Sequence, residues 1–401
     1  MPSPEEQVIP PSLPFALPDI TDREIEAVVG VLRSKWLTTG ARSREFESQF
    51  ASAVGVPHAV AVNSCTAALH LSLEALGVGA GDLVFLPPYT FAASAEVIRY
   101  VGATPILVDV EAETLNIDVA ALRARIEAEL RGDAGRPAAI MPVHIAGVAC
   151  DMAAVWELAR EFDLAVVEDA AHAFPSTYGD HAVGWMPEDV RGTACYSFYA
   201  TKTITTGEGG MVVTNDAVIA DRIQVMRLHG LSKQAWSRYA GGSWRYDIVA
   251  PGYKYNLSDM AAAMGIVQLS RAKEMAVRRQ EIADRYTDAF SALPVFQCPV
   301  VPEGRRSSWH LYLLRLQHGT VDQRDQLIED LKARGIGTSM HFIPLHVHSY
   351  YRKTFGLCPE DFPVAYRNSQ RAISLPIYSS MADADVERVI LEVTTLGKDI
   401  A

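Results

Sequence analysis

Residues 194–214 read Ala194-Cys-Tyr-Ser197-Phe-Tyr-Ala-Thr-Lys202-Thr-Ile-Thr-Thr-Gly-Glu-Gly-Gly210-Met-Val-Val-Thr214. Two apolar runs of strand length, Ala194–Phe198 and Met211–Thr214, flank a loop of threonines and glycines that holds one lysine. Upstream the same rhythm repeats. Strand candidates fall at Ala59–Val62, Leu83–Leu86, Ile106–Asp109, Ala138–Met141 and Leu164–Glu168. Helical patterns separate several of them, at Thr66–Leu76, Val119–Leu130 and Met152–Phe162. Continuous apolar strands alternating with helices predict an α/β fold, its mostly parallel sheet covered on both faces.

Downstream the rhythm changes after the glycine- and aromatic-rich stretch Ala240–Tyr255. A long helix is expected over Ser258–Leu293, then strands at Trp309–Leu316, Ile336–Phe342 and Ala372–Pro376, and helices at Arg324–Arg334 and Asp383–Leu396. This is an α+β pattern beside the larger unit. The expected organisation is an N-terminal arm over residues 1–20, a large domain over 21–255 and a smaller C-terminal domain over 256–401. A chain of 401 residues suffices for two domains with a shared core.

Composition narrows the partners. Thirty-six basic against 48 acidic side chains give a formal charge of −12, which argues against a nucleic-acid surface. An anionic small molecule stays compatible, because helix N-terminal amides bind phosphate without basic neighbours. No apolar run reaches the length of a membrane span. The opening residues read as an extended arm and not a signal peptide. The five cysteines are odd in number and lack CxxC spacing, so neither a disulfide framework nor a zinc site is suggested. A cytoplasmic protein with reduced thiols is expected.

Lys202 follows a strand end, where open α/β sheets place ligands. Three other stretches share that kind of position. Val166-Val-Glu-Asp169-Ala-Ala-His172 ends an apolar run in an acidic pair, and Asp169 there suits a buried cation such as the pyridine nitrogen of pyridoxal 5'-phosphate (PLP). Asn63-Ser-Cys65-Thr66-Ala-Ala-Leu69 turns a strand into a helix, giving free amides and a hydroxyl for a phosphate. Pro87-Pro-Tyr-Thr-Phe91 puts an aromatic ring after a strand, able to cover a planar cofactor. Each has a plainer explanation alone: a surface lysine, a solvated carboxylate, an N-cap, a core ring. Together they describe one site.

Several motifs in order then carry a resemblance: Trp36-Leu-Thr-Thr-Gly40, Asn63–Leu69, Glu168-Asp-Ala-Ala-His172, Ser197–Lys202 with Thr206–Gly210, and Gly252-Tyr-Lys-Tyr-Asn256. Later come Gly335–His346 and Ala372–Pro376. From about Pro14 to Leu396 the chain resembles the DegT-type sugar aminotransferases, of PLP fold type I (aspartate aminotransferase-like). The resemblance implies a PLP-dependent enzyme that moves an amino group from glutamate, leaving 2-oxoglutarate, to a nucleotide-linked keto sugar.

It also implies roles. Lys202 would hold PLP as a Schiff base, and Asp169 would pair with the pyridine nitrogen. Cys65, Thr66 and Ser197 would bind the phosphate, Phe91 would stack on the ring, and His172 would approach its 3'-oxygen. Asn256 would reach the phosphate site of a neighbouring subunit, which implies a homodimer with shared active sites. Many relatives have Gln in place of His172 and Asn-Tyr-Arg in place of Lys254-Tyr-Asn256. Both variants, with His341–His346 and Tyr350-Tyr-Arg352, are similar to the subgroup forming UDP-4-amino-4-deoxy-L-arabinose, so a 4-keto, UDP-linked substrate is expected. A sugar dehydratase of the same fold is disfavoured because such relatives tend to replace the lysine with histidine. A non-catalytic regulator on this fold is disfavoured by the retained lysine, acid and phosphate cradle. The remaining histidines, His144 and His310 among them, take the plain reading of surface or satisfied core groups. His341 and His346 are candidates for the sugar pocket.

Overall fold

The computed structural model describes residues 12–232 and 247–400. In chain order the strands are β1 (His58–Val62), β2 (Asp82–Leu86), β3 (Thr104–Leu107), β4 (Arg136–Ile140), β5 (Ala165–Asp169), β6 (Thr177–Tyr178), β7 (His181–Ala182), β8 (Gly192–Ser197), β9 (Gly210–Thr214), β10 (Phe296–Gln297), β11 (Arg305–Arg306), β12 (Tyr312–Leu316) and β13 (Ala372–Leu375). Seven of them form the main sheet in the order β1-β9-β8-β5-β4-β2-β3. All run parallel except β9, which is antiparallel to both neighbours. Side chains alternate across this sheet and fill two cores. Ala61, Phe85, Val166 and Tyr196 belong to one, and Val62, Leu86, Val167 and Cys195 to the other.

The covering helices are α1 (Asp22–Ser34), α2 (Ala41–Val54), α3 (Cys65–Ala75), α4 (Ala92–Tyr100), α5 (Val119–Arg131), α6 (Met152–Glu161) and α7 (Ala217–Met226). The long helix α8 (Asp259–Phe290) puts Ala262, Ala272 and Met275 in the large core and Ile282, Tyr286 and Phe290 in the small one. It therefore links both. The small sheet, β10-β12-β13, is antiparallel.

The expected strand over Ile336–Phe342 is not a strand. Ile336 makes a single bridge to Leu13 and Ser339 another to Ser374, with no continuous ladder. Residues 12–15 run beside it, and a Cβ at Gly337 would meet Phe15 N at 2.8 Å and Leu13 O at 3.0 Å. The expected arm over residues 1–20 and the stretch Ala240–Tyr255 lie partly outside the described residues. Among those described, no helix is long and apolar enough to cross a membrane.

Candidate active site

The parallel strands deliver their carboxyl ends to one cavity of about 460 Å³. Lys202, Asp169, His172, Cys65, Thr66, Ser197 and Phe91 all line it. The four separated stretches thus meet, as the sequence predicted.

Lys202 sits in a tight turn closed by its own amide on Tyr199 O at 2.9 Å, followed by Thr206 N on Phe198 O at 2.9 Å. The Thr205 hydroxyl also donates to Phe198 O at 3.0 Å. Threonines thus tie down the loop that offers the lysine. Burial lowers the Lys202 amine to about 8, while Cys65 and Asp169 oppose the shift. About a tenth of it is then free amine at pH 7, far more than for an ordinary lysine.

Asp169 closes β5 and is buried. Ser94, one turn into α4, donates to its Oδ2 at 2.7 Å, and the Ala171 amide to its Oδ1 at 3.1 Å. Burial pushes this carboxyl up, against those bonds and the nearby Lys202 and His144. A buried carboxylate wants a counter-cation, and a pyridinium N–H is one.

The N-terminus of α3 is built for an anion. The Ser64 side chain caps it by accepting from Ala67 N at 3.1 Å. Cys65 and Thr66 open α3 and line the cavity, so their amides, which have no partner within the helix, sit at its edge with the helix dipole behind them. Gly210 permits this: a Cβ there would meet Ser64 O at 2.5 Å and Cys65 N at 2.8 Å. Ser197 Oγ accepts from the Tyr199 amide at 3.3 Å, which leaves its proton for the same anion.

His172 is buried and held in one tautomer. The Ala146 amide donates to its Nδ1 at 3.3 Å, so the neutral ring carries its proton on Nε2. Burial, aided by Lys202 and His341, keeps it neutral well below the usual imidazole range. It can donate to a phenolate oxygen. The ring of Phe342 lies nearly parallel to it, with centroids 5.8 Å apart. Phe91 remains 65% exposed, its ring free to cover a flat ligand.

Asn256 is not among the cavity's lining residues. Its Nδ2 donates to Thr39 Oγ1 at 2.7 Å, and Lys254 Nζ donates to its Oδ1 at 2.5 Å. Within one chain it is therefore apart from the site. His341 lines the cavity, its Nδ1 2.8 Å from Ser374 Oγ. His346 does not; it is buried against Phe362 at 4.9 Å.

Sequence reasoning missed three groups. Ser94 lies three residues after Phe91, the N-cap of α4, and its place in the first turn of a helix that starts at the sheet edge would have found it. His144 donates from Nε2 to Glu168 at 2.9 Å behind the site, with the Cys150 amide on its Nδ1 at 3.0 Å. His310 reaches Lys202 itself, its Nε2 3.4 Å from Nζ.

The residues present thus fit PLP: an amine, a buried carboxylate short of a cation, an anion cradle and a flat aromatic cover. The model of the DegT/DnrJ/EryC1/StrS aminotransferase family matches residues 18–394. The chain belongs to that family. A spore coat polysaccharide biosynthesis protein, SpsC of Bacillus subtilis, is 46% identical over 389 residues, covering 96% of this chain and 97% of SpsC. The PLP form of a sugar aminotransferase, Spr1654 of Streptococcus pneumoniae, superposes with a TM-score of 0.88 at 34% identity, covering 97% of this chain and 100% of that one. DesI, solved with its TDP-sugar product, has a TM-score of 0.83 at 29% identity over 96% of this chain and 93% of its own. This family member is accordingly a PLP-dependent sugar aminotransferase of fold type I.

Proposed function

We propose that the enzyme moves an amino group from glutamate to the C4 keto group of a nucleotide-linked sugar, with UDP as the carrier, in the cytoplasm. The observation that carries this reading is the convergence of Lys202, Asp169 and the open α3 N-terminus on one cavity, in a chain similar to DesI and its TDP-sugar product. The five cysteines are free thiols, which suits a reducing compartment.

In this reading Lys202 holds PLP covalently and Asp169 keeps its ring nitrogen protonated. The Cys65 and Thr66 amides, the Thr66 hydroxyl and Ser197 hold the phosphate, Phe91 covers the ring, and His172 Nε2–H donates to its 3'-oxygen. Bound PLP supplies an electron sink for the carbon that loses its proton. With the cofactor in place, the Lys202 amine would be free to take the proton from the α-carbon of the donor and hold it for return within the site. Its lowered proton affinity suits that exchange near neutral pH. In the second half, the same amine would hand a proton to the sugar C4 as the keto oxygen leaves as water and the nitrogen given up by glutamate takes its place.

A twofold dimer completes the assignment, with Asn256 serving the neighbouring subunit's phosphate site. Its place outside its own chain's cavity supports that reading. The test is a panel of UDP-, dTDP- and GDP-linked keto sugars with glutamate, aminated product being read by mass. Product from a UDP-linked 4-keto sugar is the expected result. Product from the dTDP- or GDP-linked sugars with none from the UDP-linked one would overturn the proposal.

A further inference from the structure

His310 is buried and lines the cavity, and among the described residues its ring makes one polar contact, the 3.4 Å approach of Nε2 to Lys202 Nζ. Its Nδ1 is buried without a partner. An unpaired buried polar atom costs free energy that an apolar side chain of similar size would avoid. The imidazole is therefore not a packing choice. Backbone geometry says the same. Trp309, immediately before it, sits at φ +48°, a left-handed conformation that a bulky residue rarely adopts. That turn is clamped: the Arg279 guanidinium donates to Trp309 O at 3.0 Å and to Ile377 O at 2.8 Å. The Trp309 indole N–H donates to Gln280 Oε1 at 2.8 Å. A strained, clamped turn delivers an otherwise unsatisfied ring to one amine.

We propose that His310 is a positioning residue for Lys202: its Nε2 accepts a hydrogen bond from the protonated, uncoupled Nζ and holds that amine at the cavity. This rests on the reading of Lys202 as the reacting amine. While Nε2 accepts, the ring's proton sits on Nδ1. The ring must stay neutral to accept. Burial keeps it so, and the Lys202 ammonium and the Arg279 guanidinium, which face it beside the rings of His172 and His341, add to the effect. Around the amine the other titratable neighbours are Cys65, Asp169, His172 and His341. None of these is altered in the comparison below.

The full-length apo-protein is mixed with PLP across pH 6–10, and borohydride fixes what has attached. Peptide mass then gives the rate of fixation on Lys202. For wild type the rate rises tenfold per pH unit and levels off near pH 8, where half the amine is free. His310→Gln places an acceptor oxygen where Nε2 stood and keeps that midpoint. His310→Leu cannot accept, and the ammonium loses its partner. Its midpoint falls by about one pH unit, so attachment at pH 7 is roughly fivefold faster than in wild type. His310→Asn, polar but too short, shifts the same way, so the test survives a misfolded leucine variant. Unchanged midpoints in Leu and Asn variants, with the label on Lys202, overturn the role of His310 alone. Label on another lysine of the wild-type protein overturns the reading of Lys202 as well.

Discussion

Two buried polar clusters lie on either side of the Lys202 loop, and they are built on opposite terms. The first joins the N-terminal segment to α8. Arg271 pairs with Asp19 at 2.8 Å and Glu24 at 2.9 Å, Gln268 donates to Glu24 at 2.9 Å, and Ser379 donates to Asp19 at 2.8 Å. Glu24 also accepts from the Thr21 amide at 2.9 Å. Burial works against its charge, but bonds from Thr21, Arg271 and Gln268 win and lower its carboxyl to about 2. The second cluster is the cavity, where burial wins. Lys202 falls to about 8, Asp169 is pushed up, and His172 and His310 are kept neutral. The first cluster has all its partners within the chain. The second is short of a cation, an anion and a ring, and PLP carries all three. Saturated polar groups hold a fold; undersupplied ones hold a ligand.

Removing a member of each cluster separates the two. Lys202→Ala should cut turnover by on the order of 10⁴-fold, because both the attachment point and the proton carrier go. Its apo-protein should melt no lower than wild type, since a buried amine that resists its charge contributes nothing to folding. Product mass with glutamate and a thermal melt check both halves. Wild-type turnover would end the assignment of Lys202.

Arg271→Met should do the reverse. It strands Glu24 and Asp19 without their cation, a loss of about 3–5 kcal/mol in unfolding free energy. Denaturant titration measures it, and a loss under about 1 kcal/mol would mean the cluster is not saturated in the sense argued. A smaller effect follows from pH. The Glu24 carboxyl sits at about 2 folded against 4.5 free, so its stabilisation is complete above pH 4.5 and lost as pH falls towards 2. Glu24→Gln should be the less stable protein at pH 6, and the gap from wild type should narrow at pH 3. A gap that stays constant would contradict the shift.

Much of the cavity was legible before folding because its parts sit at strand ends, and apolar runs mark those ends. Asp169 and Phe91 each follow such a run within a few residues, and Ser197 lies near the end of one. The seven strands of the main sheet lie close to the expected spans for the same reason. His310 was not legible. It stands 108 positions from Lys202, and its neighbours in sequence, Trp309 and Leu311, read as core. Only the clamp on Trp309, made by residues of α8, turns it to the amine. The Ile336–Phe342 run has a strand's composition but touches two different segments at one residue each, Leu13 from Ile336 and Ser374 of β13 from Ser339, so it gains bridges without a ladder. The saturated cluster escaped as well, because Glu24 and Arg271 look like ordinary charges on helix faces until α1 and α8 meet.

Gln268 belongs to both regions and gives the finest test of how far they are separate. Its Oε1 accepts the Thr205 amide at 3.2 Å, three residues after Lys202, and its Nε2 donates to Asp19 O at 2.8 Å and to Glu24. Gln268→Leu leaves the Thr205 N–H buried and unpaired, which should destabilise by about 1–3 kcal/mol. The Lys202 turn keeps its own bonds to Tyr199 and Phe198, so it should survive in a looser form. Attachment of PLP to the apo-protein should then slow by roughly threefold, the scale of a modest loss of preorganisation. An unchanged attachment rate alongside the stability loss would show that the saturated cluster holds the fold without steadying the lysine. A slowed rate makes it the foundation on which the undersupplied cluster waits.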